Sequence, residues 1–306
     1  MKTNLTVRIG KLKLKNPVLT ASGTFGYAEE FKDFIDLRQL GAIVTKTVTL
    51  NPRKGNLPAR TCETPSGMLN SIGLENPGIE VFLKEKLVSL SKIRVPIIVS
   101  IASENDPAEF PLLAKRLDGV NSVVAIELNI SCPNMGHRLL VSQDPKATHS
   151  VVKSVRKVTG KTLITKLSPN VTDIVQIALA AESAGTDALS LVNTLNGMSV
   201  DVKSRLPKIA AGSAGLSGPA IRPVAVKMVW DVYRKIKVPI IGMGGIIDVN
   251  SALEFFISGA TAVSIGTANF INPATTLEVI RGLKIYLAQN KIKDIRKLTG
   301  SIKIEP

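Results

Sequence analysis

Eight short apolar segments alternate with stretches of helical periodicity along the chain, and this alternation limits the possible folds more than any other feature. The segments are continuous and mostly β-branched, as expected for strands buried on both faces of a parallel sheet. Eight strand–helix alternations predict an α/β protein with a (β/α)8 (TIM) barrel, and a doubly wound sheet is the alternative. The segments are Pro17–Ala21, Ala42–Val48, Pro96–Ile101, Val123–Ile130, Thr162–Leu167, Ala188–Val192, Pro239–Met243 and Ala262–Ile265.

A shorter pattern precedes the first of these segments. Residues Leu5–Leu14 alternate apolar and polar side chains on either side of a Gly10-Lys11 turn, which predicts an N-terminal β-hairpin. No linker, low-complexity tract or short-period repeat divides the 306 residues. We therefore expect a single barrel domain over residues 1–306.

Several helices carry readable start signals. The segment Gly78–Ile93 has an apolar stripe at helical spacing. Asp106 and Asp144 each precede a proline, the arrangement of an N-cap followed by proline at the first helical position. Thr172 and Asp248 are the predicted N-caps of two later helices.

The composition removes several classes of site. Two cysteines, Cys62 and Cys132, cannot form a disulfide framework or supply the four ligands of a protein-held iron–sulfur cluster. With only two histidines, His137 and His149, we expect no metal site, and a Ser-His-Asp hydrolase would depend on one of them. No apolar run is long enough to span a membrane and no signal-peptide pattern is present, so a cytoplasmic protein is expected.

The charge balance is strongly basic. Lys and Arg number 39 against 24 Asp and Glu, for a net charge of +15. There is no block of five or six basic residues, and aromatic residues make up only 4%. The excess therefore favours a lysine-rich solvated surface and an anionic small ligand over nucleic acid.

Polar residues and glycines follow all eight predicted strands. In this fold such positions converge at the C-terminal mouth of the barrel, where the chemistry of the fold is found. A barrel built for stability alone would not need them at every strand. They are Ser22, Lys46-Thr47, Ser100, Asn129 with Cys132, Lys166, Asn193-Thr194, Gly244-Gly245 and Gly266-Thr267.

Glycines after the last two strands indicate a phosphate site. Gly242–Ile246 and Ile265–Thr267 allow an anion to approach backbone N–H groups, although tight turns also require glycine. A further glycine-rich loop, Gly212–Gly218, lacks the spacing of a dinucleotide fingerprint.

Lys46 and Lys166 end interior strands, where an unpaired ammonium is costly to bury. Three interpretations remain open at this point. Either lysine could form a Schiff base, face a developing anion, or pair with a neighbouring carboxylate.

Cys132 follows the fourth strand within Asn129–Asn134, and the proline after it ends the strand. A thiol at a barrel mouth can act as a nucleophile or as a proton acceptor. Cys62 has no such context and is interpreted as an inert small side chain.

Four carboxamides are expected near this cysteine: Asn70, Asn129, Asn134 and Asn193. Amides match the alternating N–H and C=O edge of an imide or pyrimidine ring, so a planar nitrogen-rich substrate is favoured over a sugar. Asn70 lies in the long connection Thr64–Gly78, and loops of this length are usually functional lids or disordered. Asn134 could instead be a turn asparagine bonded to its own backbone.

Five motifs together resemble the dihydroorotate dehydrogenase family, and the similarity runs from the hairpin to the last helix. It is closest to class 1B, the NAD-linked catalytic subunit. The absent N-terminal membrane-associating extension and cysteine rather than serine at position 132 argue against class 2. The motifs are Thr64–Gly78, Asn129–Asn134, Val192–Met198, Gly215–Pro223 and Ile240–Ile246.

The resemblance implies an FMN-containing barrel that oxidises (S)-dihydroorotate to orotate in pyrimidine (UMP) biosynthesis. Cys132 would remove the C5 proton, and hydride would pass from C6 to the flavin. Lys166 would stabilise charge on the reduced flavin, and Lys46 would balance the substrate carboxylate or the cofactor. The implied FMN contacts are Ser22, Lys46, Thr47, Ser100, Asn129, Lys166, Val192, Gly218, Gly244, Gly245, Gly266 and Thr267. The implied orotate contacts are Lys46, Asn70, Ser71, Ile72, Gly73, Leu74, Asn129, Asn134, Asn193 and Thr194.

Class 1B also implies a partner. A second subunit would carry FAD and a [2Fe–2S] cluster and pass electrons to NAD+, in a heterotetramer built around a catalytic homodimer. The sequence itself does not identify the acceptor, since fumarate and quinone users share this barrel.

Two positions depart from the family pattern. Ser100 replaces a common asparagine, which would shorten one flavin contact or leave it to water. The loop Met135–Asp144 lacks the usual paired glycines and phenylalanine. The alternatives are a tRNA dihydrouridine synthase-like flavoenzyme, a class 1A-like fumarate user, a related dihydropyrimidine reductase, and a phosphate-binding barrel or Schiff-base aldolase.

Overall fold

Eight parallel strands form one sheet in the computed structural model, which describes residues 3–104, 106–131 and 141–304. Following the chain from each strand to the next moves around the sheet in one direction, with the last strand beside the first. The predicted (β/α)8 barrel is confirmed. The strands are β1 (Val18–Thr20), β2 (Ile43–Val44), β3 (Ile97–Ile101), β4 (Val123–Asn129), β5 (Thr162–Lys166), β6 (Ala188–Leu191), β7 (Ile240–Met243) and β8 (Ala262–Ile265).

The barrel closes between β1 and β2. Leu19 and Ala42 form a parallel bridge, and Gly41 donates its N–H to the carbonyl of Val18 at 2.9 Å. The predicted segment Ala42–Val48 contains a regular strand of only two residues, because Val48 pairs separately with Ile101 of β3.

Helices cover the outside of the sheet because each has one apolar face. In Glu109–Asp118, for example, Phe110, Leu113, Ala114 and Leu117 are buried at helical spacing. The first connection contains only two 3-10 turns, Glu29–Phe31 and Leu37–Gln39. The α-helices and the one π turn of the described residues are Gly78–Val81, Phe82–Lys86 (the π turn), Leu87–Ser91, Glu109–Asp118, Pro145–Arg156, Ile174–Ser183, Arg222–Tyr233, Val249–Ser258, Ala268–Ile271 and Thr275–Gln289. Further 3-10 turns are Val141–Gln143, Pro219–Ile221 and Ile295–Lys297.

Two of the four predicted helix caps are correct. Asp144 accepts a hydrogen bond from the N–H of Lys146, and Asp248 forms a capping box with Ser251. The other two are displaced along the chain. The cap after β5 is Asp173 rather than Thr172, since the Asp173 carboxylate accepts the N–H of Val175. Asp106 receives the N–H of Ala108 in the turn before the helix that begins at Glu109.

The predicted N-terminal hairpin packs against the lower end of the barrel. Val7–Ile9 pairs antiparallel with Leu12–Leu14, and the apolar side chains of Val7, Ile9 and Leu14 are buried. Gly10 at the turn lies so close to the starts of β5 and β6 that a Cβ atom would stand 2.8 Å from the Cβ of Asp187. The hairpin leaves the opposite end of the barrel free for the site.

A second sheet lies at the upper end of the barrel. It combines Leu195–Gly197 and Ala214–Ser217 from the connection after β6 with Gly67–Asn70 and Thr61–Thr64 from the connection after β2. Gly215 pairs with Asn70, so two segments distant in sequence are joined across the mouth. A separate two-stranded ribbon pairs Val200–Asp201 with Leu206–Pro207.

None of the helices within the described ranges combines the length and the apolar character needed to cross a membrane.

Candidate active site

Two adjoining cavities open at the C-terminal mouth of the barrel. The first, about 450 Å³, is lined by Gly218, Gly244, Gly245 and Gly266 among others, and we name it the glycine cavity. The second, about 380 Å³, is lined by six asparagines among others, and we name it the amide cavity. Both volumes lie in the range of about 300–1,000 Å³ typical of ligand sites. The two cavities share Ser22, Lys166, Asn193 and Thr194. The six asparagines are Asn56, Asn70, Asn129, Asn170, Asn193 and Asn196.

The glycine cavity has a backbone surface that larger residues could not form. Gly244 and Gly245 have φ values of 125° and 76°. A Cβ atom on Gly245 would stand 2.8 Å from the carbonyl oxygen of Gly218 across the cavity wall. Beside them the Thr267 hydroxyl donates to Ser217 Oγ at 2.8 Å. A wall of this kind lets an anion come close to backbone N–H groups and hydroxyls, which are the donors that bind a phosphate group.

A buried hydroxyl in the glycine cavity has no hydrogen-bond partner among the residues that the structure describes. Ser264 of β8 lines the cavity and is almost completely buried, and its Oγ makes no hydrogen bond within the described residues. A buried polar atom without a partner is costly. The wall therefore fits a ligand that carries its own donors or acceptors, and an isoalloxazine ring with its ring nitrogens and carbonyls is such a ligand.

Lys166 forms the boundary between the two cavities. Its side chain is 4% exposed at the end of β5, and Nζ donates to Ser22 Oγ at 3.1 Å. No carboxylate lies within ion-pair distance of it among the described residues. This removes the ion-pair interpretation for that part of the chain and leaves a buried cation facing both cavities.

Hydrogen bonds fix the orientation of the side-chain amides in the amide cavity. Asn193 Nδ2 donates to Ser131 Oγ at 2.5 Å and to Asn129 Oδ1 at 3.4 Å. Asn129 Nδ2 in turn donates to Thr47 Oγ1 at 3.4 Å, and Asn193 Oδ1 accepts the N–H of Thr194 at 2.8 Å. The amides are therefore held in place before any ligand binds.

The carbonyl groups of the loop Ser71–Leu74 are all occupied by hydrogen bonds. Asn56 donates to the carbonyls of Ser71 and Ile72, through Nδ2 at 3.1 Å and through its backbone N–H at 3.0 Å. Arg53 Nε donates to the carbonyl of Gly73 at 3.2 Å, and Asn76 Nδ2 donates to that of Leu74 at 2.7 Å.

The N–H groups of the same loop remain available. Ile72, Gly73 and Leu74 donate no backbone hydrogen bond within the described part of the chain. Gly73 and Leu74 both have left-handed φ values, 75° and 55°. Consecutive free N–H groups in such a turn form a concave site for an anion such as a carboxylate.

Lys46 supplies a second positive charge to the amide cavity. Burial lowers the pKa of its ammonium, because the charged form loses hydration, while the nearby Glu75 carboxylate raises it and Arg60 lowers it. Arg60 and Glu75 form an ion pair at 2.5 Å, and this ion pair holds the pKa of Glu75 low.

The described residues that the sequence singled out come together here, with one exception. Ser100 is fully buried behind Thr47, to which it hydrogen-bonds at 3.0 Å, so it reaches the amide cavity only through that residue. Ser22, Lys166, Asn193 and Thr194 line both cavities; Val192, Gly218, Gly244, Gly245, Gly266 and Thr267 line the glycine cavity; Lys46, Thr47, Asn70, Ser71, Ile72, Gly73, Leu74 and Asn129 line the amide cavity. Cys132, Asn134 and His137 lie outside the described residues.

Some lining residues were not anticipated. Asn170 donates to the carbonyl of Thr194 at 3.0 Å and accepts the N–H of Asn196 at 2.8 Å. It lies four residues past Lys166, so an inspection limited to strand ends misses it. Asn56 belongs to a long connection without periodicity, and no local signal marks it.

A sequence model described as dihydroorotate dehydrogenase matches residues 4–287. The chain belongs to the dihydroorotate dehydrogenase family. The five motifs that resemble the family contain many of the residues that line the two cavities, including Asn70, Asn193 and Gly245.

Similar proteins cover the whole chain. Three relatives, from Trichlorobacter lovleyi, Thermoanaerobacter pseudethanolicus and Desulforudis audaxviator, are 52%, 51% and 51% identical. The alignments cover 99%, 99% and 98% of this chain and 99%, 100% and 98% of the relatives. Each relative is named dihydroorotate dehydrogenase B (NAD(+)), catalytic subunit.

The effect of the Glu75 charge on the pKa of Lys46 can be tested by substitution. Removing the Glu75 charge in Glu75→Gln is expected to lower the pKa of Lys46 further, because a neighbouring anion favours the ammonium form. We expect Lys46 to react with an amine-selective reagent at lower pH in the variant than in the wild type, as read at that residue by mass spectrometry. Glu85→Gln, on an exposed helix surface, is the control. An unchanged pH midpoint in Glu75→Gln would show that Glu75 does not act on Lys46.

Proposed function

We propose that this chain oxidises (S)-dihydroorotate to orotate in pyrimidine biosynthesis, with FMN in the glycine cavity and the substrate in the amide cavity. The observation that carries the proposal is the junction of the two cavities at Lys166, Asn193 and Thr194. A reaction that moves a hydride between two bound groups requires them to be adjacent. Membership of the dihydroorotate dehydrogenase family supports the same reaction.

The glycine cavity would bind FMN at both its phosphate and its isoalloxazine ring. Gly244, Gly245, Gly266 and Thr267 would bind the phosphate, with Gly218 on the opposite wall. Ser22, Lys166 and Val192 would contact the ring, and Lys46, Thr47 and Asn129 would reach it from the amide cavity, with Ser100 acting through Thr47. Bound FMN supplies the hydride acceptor, and the protein supplies position and charge.

The amide cavity would bind the two parts of the substrate, its carboxylate and its planar ring, through different groups. The free N–H groups of Ile72–Leu74 and the Lys46 ammonium would bind the carboxylate. Asn70, Asn129 and Asn193, with Thr194, Ser71 and the undescribed Asn134, would bind the polar edge of the ring. Because hydrogen bonds already fix the orientations of these side-chain amides, they would position the ring against Lys166 without first having to become ordered.

Cys132 would accept the proton that leaves C5 of the substrate. Ser131, the residue before it, lines the amide cavity and contacts Asn129 and Asn193, so the chain leaves β4 beside the substrate position. A thiol has an ordinary pKa near 8.5, and cations nearby would increase its thiolate fraction. Lys46 and Lys166 are cations that line this mouth.

The electrons would leave through a partner subunit. The name catalytic subunit, borne by the relatives, indicates that those proteins work with another subunit, and NAD(+) in their names indicates their acceptor. We propose the same for this chain: a homodimer within a heterotetramer, whose second subunit carries FAD and a [2Fe–2S] cluster. The cytoplasmic location and the single-domain organisation over residues 1–306 stay predictions.

Flavin spectroscopy tests the function directly. The purified protein is expected to be yellow, and anaerobic dihydroorotate should bleach the flavin absorbance because the substrate reduces it. The rate at which the reduced flavin is reoxidised is then measured with fumarate and, separately, with NAD+ plus the co-expressed partner. Reoxidation by fumarate would favour the class 1A-like alternative over the NAD-linked enzyme. A flavin bleached by NADPH and reoxidised only by RNA would contradict the proposal in favour of a tRNA dihydrouridine synthase.

The base assignment has its own test. Cys132→Ala is expected to bind flavin normally yet lose most turnover, because no group accepts the C5 proton. Cys132→Ser should recover slight activity at high pH, where a hydroxyl becomes a better base. Steady-state rates and bound-flavin absorbance measure both effects. Unchanged rates in Cys132→Ala would remove the assignment.

A further inference from the structure

Two charged side chains are buried in the barrel, and the reaction as described uses only one of them. Within the described ranges, Glu127 and Lys166 are the charged residues that fall in the buried class, with 2% and 4% exposed. They lie on the neighbouring strands β4 and β5. Lys166 faces the two cavities, whereas Glu127 lines neither of them.

The strand geometry places Glu127 one layer beneath the site. Side chains two residues apart on a strand point to the same side. Asn129 lines the amide cavity, so Glu127 on the same strand faces the barrel interior below it. The contact of Glu127 agrees with this: Oε2 accepts a hydrogen bond from Ser190 Oγ of β6 at 3.0 Å. Ser190 is in register with Lys166.

The other oxygen of the Glu127 carboxylate has no partner among the described residues. Glu127 Oε1 makes no hydrogen bond within the described part of the chain, and Glu127 forms no ion pair there. A buried carboxyl group with an unused oxygen weakens a fold rather than stabilising it. Structural support alone therefore gives a poor account of an acidic residue at this position.

We propose that Glu127 tunes the reduction potential of the bound flavin by opposing the positive charge of Lys166. This rests on the proposed function, since it requires a flavin in the glycine cavity. Reduction of a bound flavin would add negative charge beside Lys166, and the ammonium would stabilise that charge. The Glu127 carboxylate acts through the same poorly screened interior and disfavours that charge. Glu127 would thereby keep a bound flavin able both to accept hydride from the substrate and to pass its electrons on.

The test compares flavin midpoint potentials in purified, flavin-loaded protein. Glu127→Gln removes the charge, keeps the shape and retains an acceptor for Ser190. The oxidised-to-reduced ratio at a fixed potential is expected to fall about tenfold, a rise of about 30 mV for a two-electron couple. Glu127→Asp keeps the charge and should stay near the wild-type potential although its packing changes. Glu85→Gln makes the same charge change on the exposed helix surface and should not shift it.

The outcomes separate the inference from the function beneath it. A wild-type protein without flavin, or one that dihydroorotate does not bleach, overturns the proposed function. If the wild type binds flavin and is bleached by dihydroorotate, but Glu127→Gln has the same flavin potential as the wild type, only the role of Glu127 is overturned. An uncharged Glu127 would give this same result, because glutamine mimics a neutral carboxyl group. A shift shared by Glu127→Asp indicates packing and also overturns the inference.

A second measurement applies if Glu127→Gln does not fold. Infrared difference spectra of the wild type between oxidised and reduced flavin report on a nearby carboxylate directly. A shifted carboxylate band, assigned by labelling glutamate with carbon-13, is expected on reduction. Spectra without any glutamate band contradict the proposal.

Discussion

The burial of one lysine governs how this site works. Lys166 lies at the end of β5 and is 4% exposed, and its ammonium donates a hydrogen bond to the hydroxyl of Ser22. Negative charge beside an ammonium in that position stabilises it. Because Lys166 borders both cavities, a negatively charged reduced cofactor on one side and an anionic substrate on the other would both supply such charge.

The barrel provides this arrangement through closure. The bridge between Leu19 and Ala42 completes the ring of strands, and closure brings Ser22, after β1, within hydrogen-bond distance of Lys166 on β5. The amide cavity also depends on contacts that hold one of its loops. Arg53, Asn56 and Asn76 bind the carbonyls of residues 71–74, while the N–H groups of Ile72–Leu74 donate no backbone hydrogen bond within the described residues and can bind an anion.

Most of the fold and much of the site could be predicted from the sequence, for physical reasons. Strands buried on both faces appear as uninterrupted apolar runs, and strand ends in a parallel barrel must converge, which is why Lys166 and Asn193 could be assigned to one mouth. Where the signal was local and ambiguous, the prediction was displaced: Thr172 and Asp173 are both good caps, and only the backbone geometry selects Asp173. Asn56 and the antiparallel sheet over the mouth depend on contacts between segments far apart in the chain. No period in the sequence encodes such contacts. The burial of Ser100 behind Thr47 is likewise a packing result.

We propose that one buried lysine lies between a flavin anchored by its phosphate and a substrate anchored by its carboxylate, and a crystal structure of the protein grown with orotate would test this arrangement. We expect FMN with its phosphate against Gly245 and Thr267, orotate with its carboxylate on the N–H groups of Ile72–Leu74, and Lys166 Nζ in contact with the flavin. A flavin phosphate bound elsewhere, or orotate bound away from that loop, would contradict it.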